Sequence, residues 1–171
     1  MVILGADGIK KGNTLTLFQA ASISKAVSAM VAFKLVEQER IDLNESINIY
    51  LRSLKVRNTS FTEHTPVTLC RLLTHTAGFT VHGFHGYAQN GTTPTLIQIL
   101  NREEPANSQP AISDQISGTL RRYSGDGYIF LQQLLENVAE FCTFFYWYET
   151  VLLNSHYFDH GNNEPQYWSL A

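Results

Sequence analysis

The tetrapeptide Ser22-Ile23-Ser24-Lys25 begins a stretch, running to about residue 39, in which apolar residues recur at helical spacing. Because Ser22 and Lys25 are three residues apart, a helix places them on one face, one turn apart. The sequence therefore predicts an amphipathic helix with a serine and a lysine side by side at its N-terminal end. The apolar residues that define this helix are Ile23, Val27, Met30, Val31 and Leu35.

A serine and a lysine in this arrangement can act as a nucleophile and its base. A serine hydroxyl attacks a carbonyl well only when a neighbouring group takes its proton. A lysine can be that group if burial keeps it neutral, and the helix dipole favours the developing alkoxide. Since Ser-x-x-Lys is short enough to occur by chance, the alternative is a serine that caps the helix beside a surface lysine.

The composition is that of one globular domain without an obvious macromolecular partner. The chain has 171 residues, of which 44% are hydrophobic and 16% are charged, and its formal net charge is −3. The lack of a basic excess argues against a nucleic-acid surface. No uncharged apolar run approaches the ~20 residues of a membrane span. The first residues lack the basic start of a secretory signal, which predicts a soluble chain of undetermined compartment.

Turn and helix signals divide the chain into short elements. Gly5-Ala6-Asp7-Gly8 predicts a turn between two short strands. Thr65-Pro66 predicts the start of a helix, because a hydroxyl stands at the cap and a proline follows, and Gly78 is its expected end. A turn with a short helix is expected over 42–54, further helices over 95–100 and 128–141, and loops over 79–94 and 103–118.

Two more motifs follow the Ser-x-x-Lys pattern in a set order. They are Pro66-Val67-Thr68-Leu69-Cys70-Arg71-Leu72-Leu73-Thr74-His75-Thr76-Ala77-Gly78 and Arg122-Tyr123-Ser124-Gly125-Asp126-Gly127-Tyr128. Together the three motifs resemble the serine β-lactamase and penicillin-binding-protein-like family, in particular its class C-like esterases and β-lactamase-related serine hydrolases. The resemblance covers residues 14–159, and the ordered set is far more specific than any one motif.

The resemblance implies a role for three residues. Ser22 matches the acylated nucleophile, Lys25 matches its partner base, and Tyr123 matches the tyrosine that shuttles the proton in the second motif. The implied reaction is attack on a carboxylic ester, an amide or a β-lactam, followed by hydrolysis of the acyl-enzyme. The backbone N–H of the serine forms half of the oxyanion hole in such sites. The implied partner is this small-molecule substrate, and neither a cofactor nor a metal is implied.

The family architecture is α+β, with a helical subdomain set against a mixed sheet. The resemblance therefore implies a single β-lactamase-like domain over residues 1–171, with its helical subdomain at about 40–122. Strand signals are confined almost entirely to the first 20 residues. We expect a mainly α chain with a short N-terminal β element and an incomplete sheet.

The chain departs from the family pattern in two places. Gly125 stands where class C-like relatives have asparagine, so no side-chain amide is available to the substrate, which predicts a change of specificity. The third motif, Lys-Thr-Gly or His-x-Gly, is absent, since no lysine follows Tyr128 and His160-Gly161 has the wrong spacing. The sequence thus predicts a domain truncated after the second motif. The alternative function is a catalytically inactive domain that binds a partner, with self-association through uncovered apolar surface.

Other residues are weaker candidates for chemistry. The resemblance favours a structural role for His75 over that of a base. His82 and His85 lack a third ligand at a set spacing, so ordinary loop histidines are the leading interpretation, and a loop beside the substrate cleft is a better functional interpretation than a metal site. Ser24 lacks a lysine three residues on. The six aromatic residues in 141–148 predict core or a helix contact.

Overall fold

The fold is described by a computed structural model over residues 2–5, 8–11, 21–84, 87 and 91–139, with side chains from residue 21 onward. Two strands, β1 (Val2–Gly5) and β2 (Gly8–Lys11), pair antiparallel, with Gly5 opposite Gly8. They agree with the two short strands that the sequence predicts. The predicted turn residues 6–7, His85 and the aromatic cluster 141–148 lie outside the described residues.

Helices are the main regular structure of the described residues, as predicted. The longest, α4, packs against the other three and supplies much of the hydrophobic core, including Leu131 and Leu134. A 3-10 turn at Ile47–Ile49 stands where a short helix is predicted over 42–54. No helix in the described ranges has the length and the apolar character needed to cross a bilayer. The α-helices are α1 (Ser24–Glu37), α2 (Leu69–Leu73), α3 (Leu96–Asn101) and α4 (Gly125–Ala139).

Helix α1 buries a different face from the one that its apolar spacing predicts. Val31 and Leu35 are buried as expected, but so are Lys25 and Ser28. Ser28 Oγ donates a hydrogen bond to the Ser24 carbonyl at 3.0 Å, which satisfies the buried hydroxyl. Ile23 and Met30, which belong to the apolar residues at helical spacing, are instead exposed, as is Phe33. These apolar side chains offer a surface for the predicted self-association, which stays a prediction.

Helix α2 begins later than the sequence predicts. Thr68 is its N-cap, with a hydroxyl that accepts a hydrogen bond from the Arg71 N–H at 3.3 Å. The residues just before it pair with a distant segment, since the Ile47 N–H donates to the Val67 carbonyl at 3.0 Å. The predicted start at Thr65-Pro66 is therefore wrong, because this long-range pairing holds the backbone outside a helix.

The predicted end of this helix at Gly78 is also wrong, since α2 ends at Leu73. Gly78 lies in the loop that follows, where its φ of +85° and the nearby Gln115 carbonyl require the absence of a side chain.

The other two helices differ from prediction only at their ends. Thr95 caps α3 and forms a capping box with Gln98. Helix α4 begins at Gly125, three residues before the predicted start at Tyr128. Its two glycines have low helix propensity, but Ser124 Oγ accepts the Gly127 N–H at 2.9 Å and stabilises the first turn.

Candidate active site

The fold brings Ser22, Lys25 and Tyr123 together, as their motifs predict. Ser22 lies in a 3-10 turn directly before α1, Lys25 lies in the first turn of α1, and Tyr123 precedes α4 by two residues. The Tyr123 hydroxyl donates a hydrogen bond to Ser22 Oγ at 2.8 Å. The contact joins residues 101 positions apart, so it depends on the packing of α1 beside the start of α4.

The surroundings of Ser22 and Lys25 exclude the alternative of a capping serine beside a surface lysine. The N-cap of α1 is Ile23, and it makes no side-chain capping bond. Lys25 is buried, whereas Ser22 is exposed. The Lys25 ammonium lies 5.3 Å from the ring centroids of both Tyr123 and Tyr128, within the range of a cation–π contact. An accessible hydroxyl therefore stands beside a cation that is sheltered from solvent.

The pKa values of the two tyrosines that face Lys25 are shifted in opposite directions. Burial raises the pKa of Tyr123, but hydrogen bonds to Ser22 and Lys25 and the positive charge of Lys25 outweigh it, so this pKa falls below its ordinary value. Burial raises the pKa of Tyr128, and the neighbouring Tyr123 raises it further. Tyr123 is thus the one that can give up its proton more easily and accept another from Ser22.

His75 contacts the ring of Tyr123 and the backbone beside it. Its ring centroid lies 4.5 Å from that of Tyr123, and its Nδ1 accepts the Ser124 N–H at 3.2 Å. Burial, followed by the charges of Arg121, Lys25 and His82, lowers the pKa of His75 and favours the neutral imidazole. These contacts support the structural role expected for His75, which holds Tyr123 in place.

Arg122 fixes the backbone next to Tyr123 to the loop after α2. Its guanidinium donates to the carbonyls of Phe79 at 2.7 Å and Gly78 at 2.8 Å, and it forms an ion pair with Asp114. This hydrogen-bonded pairing lowers the pKa of the Asp114 carboxyl. Because three separate groups accept from one planar guanidinium, its shape as well as its charge is required.

Replacing Arg122 by lysine should lower the free energy of unfolding by about 2 kcal/mol, since an ammonium cannot span all three acceptors. Urea unfolding monitored by circular dichroism measures the change. The matched control is Arg121→Lys at the exposed neighbouring position, which should alter stability by less than about 0.5 kcal/mol. Equal stability of the two variants would contradict an anchoring role for Arg122.

Asp126 is a buried carboxylate that sequence reasoning did not identify as part of the site. It accepts hydrogen bonds from the Ser124 hydroxyl at 2.6 Å, the Gly127 N–H at 3.0 Å and the Val81 N–H at 3.1 Å. Burial raises its pKa to about 6, although these hydrogen bonds oppose the rise. An acidic residue in the first turn of a helix is common, so its sequence position gives no signal of this burial.

The segment 81–84 packs against the start of α4 and carries His82 to the site. The Gly125 N–H donates to the carbonyls of Val81 at 2.9 Å and His82 at 3.1 Å. The ring of His82 lies 4.9 Å from that of Tyr123, centroid to centroid, and its side chain is exposed. This contact places His82 beside the candidate site, and the interpretation of the segment as a loop beside a substrate cleft stays a prediction.

The described residues hold no group of three or more His, Cys, Asp or Glu side chains that could bind a metal ion. His85, the second histidine weighed as a metal ligand, is outside them.

The fold resembles that of solved penicillin-binding-protein and β-lactamase-like structures. Similar solved structures include FmtA from Staphylococcus aureus, with a TM-score of 0.59 and 19% identity over 81% of this chain and 35% of FmtA. The octameric penicillin-binding protein homologue from Pyrococcus abyssi has a TM-score of 0.55 and 21% identity over 78% of this chain and 30% of its own. The β-lactamase/D-alanine carboxypeptidase from Yersinia pestis has a TM-score of 0.52 and 22% identity, over 78% of this chain and 36% of the carboxypeptidase chain.

The sequence itself identifies the family. A family model described as Beta-lactamase matches residues 6–169. The chain therefore belongs to the Beta-lactamase family, as its three ordered motifs predict. It spans only about a third of the length of the similar solved structures. No curated protein sequence matches it.

Proposed function

We propose that this chain is part of a serine hydrolase that acts through an acyl-enzyme on a carboxylic ester, an amide or a β-lactam. The observation that carries the proposal is the 2.8 Å hydrogen bond between the Tyr123 hydroxyl and the exposed Ser22 Oγ, with the buried Lys25 ammonium beside the tyrosine ring. Family membership supports a small-molecule substrate and hydrolytic chemistry. The α+β architecture, with a helical subdomain at about 40–122, is part of this proposal.

The resemblance implies Lys25 as the partner base and Tyr123 as the proton shuttle. In the proposed reaction Lys25 acts through Tyr123, because its ammonium favours the Tyr123 phenolate with which the reaction begins. The Ser22 hydroxyl gives its proton to the Tyr123 oxygen as Ser22 Oγ forms a bond to the substrate carbonyl carbon. The tetrahedral intermediate then expels the alcohol or amine, which takes the proton from Tyr123. Water attacks the resulting acyl-serine by the same proton transfer and releases the acid.

The alternative is a catalytically inactive domain that binds a partner. Exposed apolar side chains among the described residues, such as Ile23, Met30 and Phe33, offer a surface for such a partner. Covalent modification of Ser22 by a highly reactive probe tests the nucleophile directly, without requiring turnover of a substrate.

The test is the intact mass of the protein after incubation with a fluorophosphonate. A single adduct should form on the native chain and on Ser24→Ala, and it should be absent from Ser22→Ala. Ser24 is the matched control because it is a serine two residues away without a lysine at the same spacing. Failure of the folded native chain to form an adduct would overturn the proposed function and favour the inactive alternative.

A further inference from the structure

A small cavity opens between the segment 54–59, helix α3 and helix α4. None of the three candidate catalytic residues lines it, so it is separate from the candidate active site. Its volume is about 40 Å³. A space of this size holds about three water-sized groups, or an apolar chain of about three carbon atoms. Buried core residues form much of its lining, among them Leu54, Val56, Phe79, Leu100 and Phe130.

Two of these lining residues, Phe79 and Phe130, have stacked aromatic rings. The ring centroids lie 5.0 Å apart, with an angle of 11° between the planes. The Phe79 carbonyl accepts a hydrogen bond from Arg122 Nε at 2.7 Å, and Phe130 lies within α4. Both backbones are therefore fixed by the fold. A preformed apolar cavity of this kind favours an apolar occupant, because the occupant leaves water without a rearrangement of the protein.

Arg57 brings a positive charge to the rim of the cavity. Its exposed guanidinium donates a hydrogen bond to Asn101 Oδ1 at 3.2 Å, and both residues line the cavity. The Asn101 amide nitrogen donates in turn to Glu103 at 3.0 Å, so the amide stands between the guanidinium and that carboxylate. The ion pairs of the described residues, Lys34 with Glu37 and Arg122 with Asp114, do not include Arg57.

The guanidinium of Arg57 therefore has the capacity to bind an anion at this rim. It has five N–H donors, and two parallel bonds from it match the two oxygens of a carboxylate. Lys55 also lines the cavity, but its ammonium donates to the carbonyls of Asn48, at 2.5 Å, and Leu51. Arg57 is thus the cation of this rim that is better placed to receive a ligand.

We propose that this cavity binds a short-chain aliphatic carboxylate, with butyrate as the chain length that fits. The three carbons of its chain lie against Phe79, Phe130 and their apolar neighbours, and its carboxylate pairs with Arg57. The size of the cavity limits the chain, and the charge at the rim selects the acid over a neutral molecule of the same shape. This site is independent of the proposed hydrolase function, since it shares no residue with Ser22, Lys25 and Tyr123.

The test is a titration of the native chain with sodium butyrate, followed by the NMR signal of the Ile112 methyl groups. Ile112 lines the cavity, and its signal is assigned by its absence from Ile112→Val. We expect a saturable shift with butyrate and a Kd about tenfold lower than for butyramide, which lacks the charge. Acetate, which lacks two of the three chain carbons, should also bind about tenfold more weakly than butyrate at the same ionic strength.

A pair of variants locates the carboxylate. Arg57→Gln should bind butyrate no better than butyramide. The matched control is Arg121→Gln, which removes the same charge from an exposed arginine outside the cavity and should keep the tenfold preference. Both positions are exposed, so both variants should fold as the native chain does. The proposal is overturned if butyrate causes no saturable shift, if acetate or butyramide binds as tightly as butyrate, or if the two variants lose the preference equally.

Discussion

Replacing Tyr123 by phenylalanine should slow the reaction of Ser22 with a fluorophosphonate by about 10²–10⁴-fold, the usual contribution of a positioned proton acceptor. The variant loses the hydroxyl that bonds to Ser22 but keeps the ring that packs against His75 and His82. Its fold should therefore be unchanged. The rate of adduct formation, measured by intact mass over time, gives the size of the loss.

The pH dependence of this rate supplies a second readout. Because the pKa of Tyr123 lies below its ordinary value, the rate in the native chain should rise with pH as the phenolate forms, at a lower pH than for free tyrosine. Tyr123→Phe should abolish this rise. The matched variant is Tyr128→Phe, which removes a hydroxyl from the other ring facing Lys25 and should slow the reaction far less. If both variants react equally fast, Tyr123 is not the base.

Replacing Asp126 by asparagine should remove a steep dependence of stability on pH. The carboxyl has a pKa of about 6 in the folded chain against 3.8 for the ordinary group, so the folded state binds its proton more tightly. The contribution of this carboxyl to the free energy of unfolding is complete below its ordinary pKa of 3.8. It is lost as the pH rises through the folded-state pKa of about 6. The loss is about 3 kcal/mol, from about two pKa units at 1.36 kcal/mol each.

Urea unfolding at a series of pH values between about 4 and 7 measures this loss as the difference between the native chain and Asp126→Asn. As the pH rises, the free energy of unfolding of the native chain should fall relative to that of Asp126→Asn. The matched control is Asp114→Asn: pairing with Arg122 lowers the pKa of Asp114, so its own stability change, of opposite sign, falls at the acid end of this range and below it, and this variant should differ from the native chain by a nearly constant amount above about pH 5. A difference between native chain and Asp126→Asn that is constant with pH would show that Asp126 does not titrate in this range.

The residues of the candidate site were easier to predict from the sequence than the packing around those residues. Ser22, Lys25 and Tyr123 could be found because each belongs to a motif with a fixed order. The buried face of α1 could not, because Lys25 and Ser28 are polar and hydrophobic spacing points to Ile23 and Met30 instead. The start of α2 was missed for another reason, since the pairing of Val67 with Ile47 is a contact between distant segments.

The supporting residues were missed because their roles depend on partners far along the chain. Asp126 accepts a hydrogen bond from Val81, 45 residues away, and the cramped surroundings of Gly125 come from the segment 81–84. The sequence showed that Gly125 lacks an amide, but it did not show what fills the space. His82 was associated with the cleft only through its loop, and its contact with Tyr123 is a result of the fold.

The bond between Ser22 and Tyr123 has a consequence for the chain during its synthesis. The serine emerges from the ribosome first, and the tyrosine to which it bonds is 101 residues behind it. Until the start of α4 has been made and packed beside α1, Ser22 has no phenol next to it and is an ordinary, weakly nucleophilic hydroxyl. A contact between such distant residues also forms late, because a long loop must close first. Under the proposed function, Ser22 of the nascent chain therefore gains its proton acceptor only after residue 123 has been made and has packed beside α1.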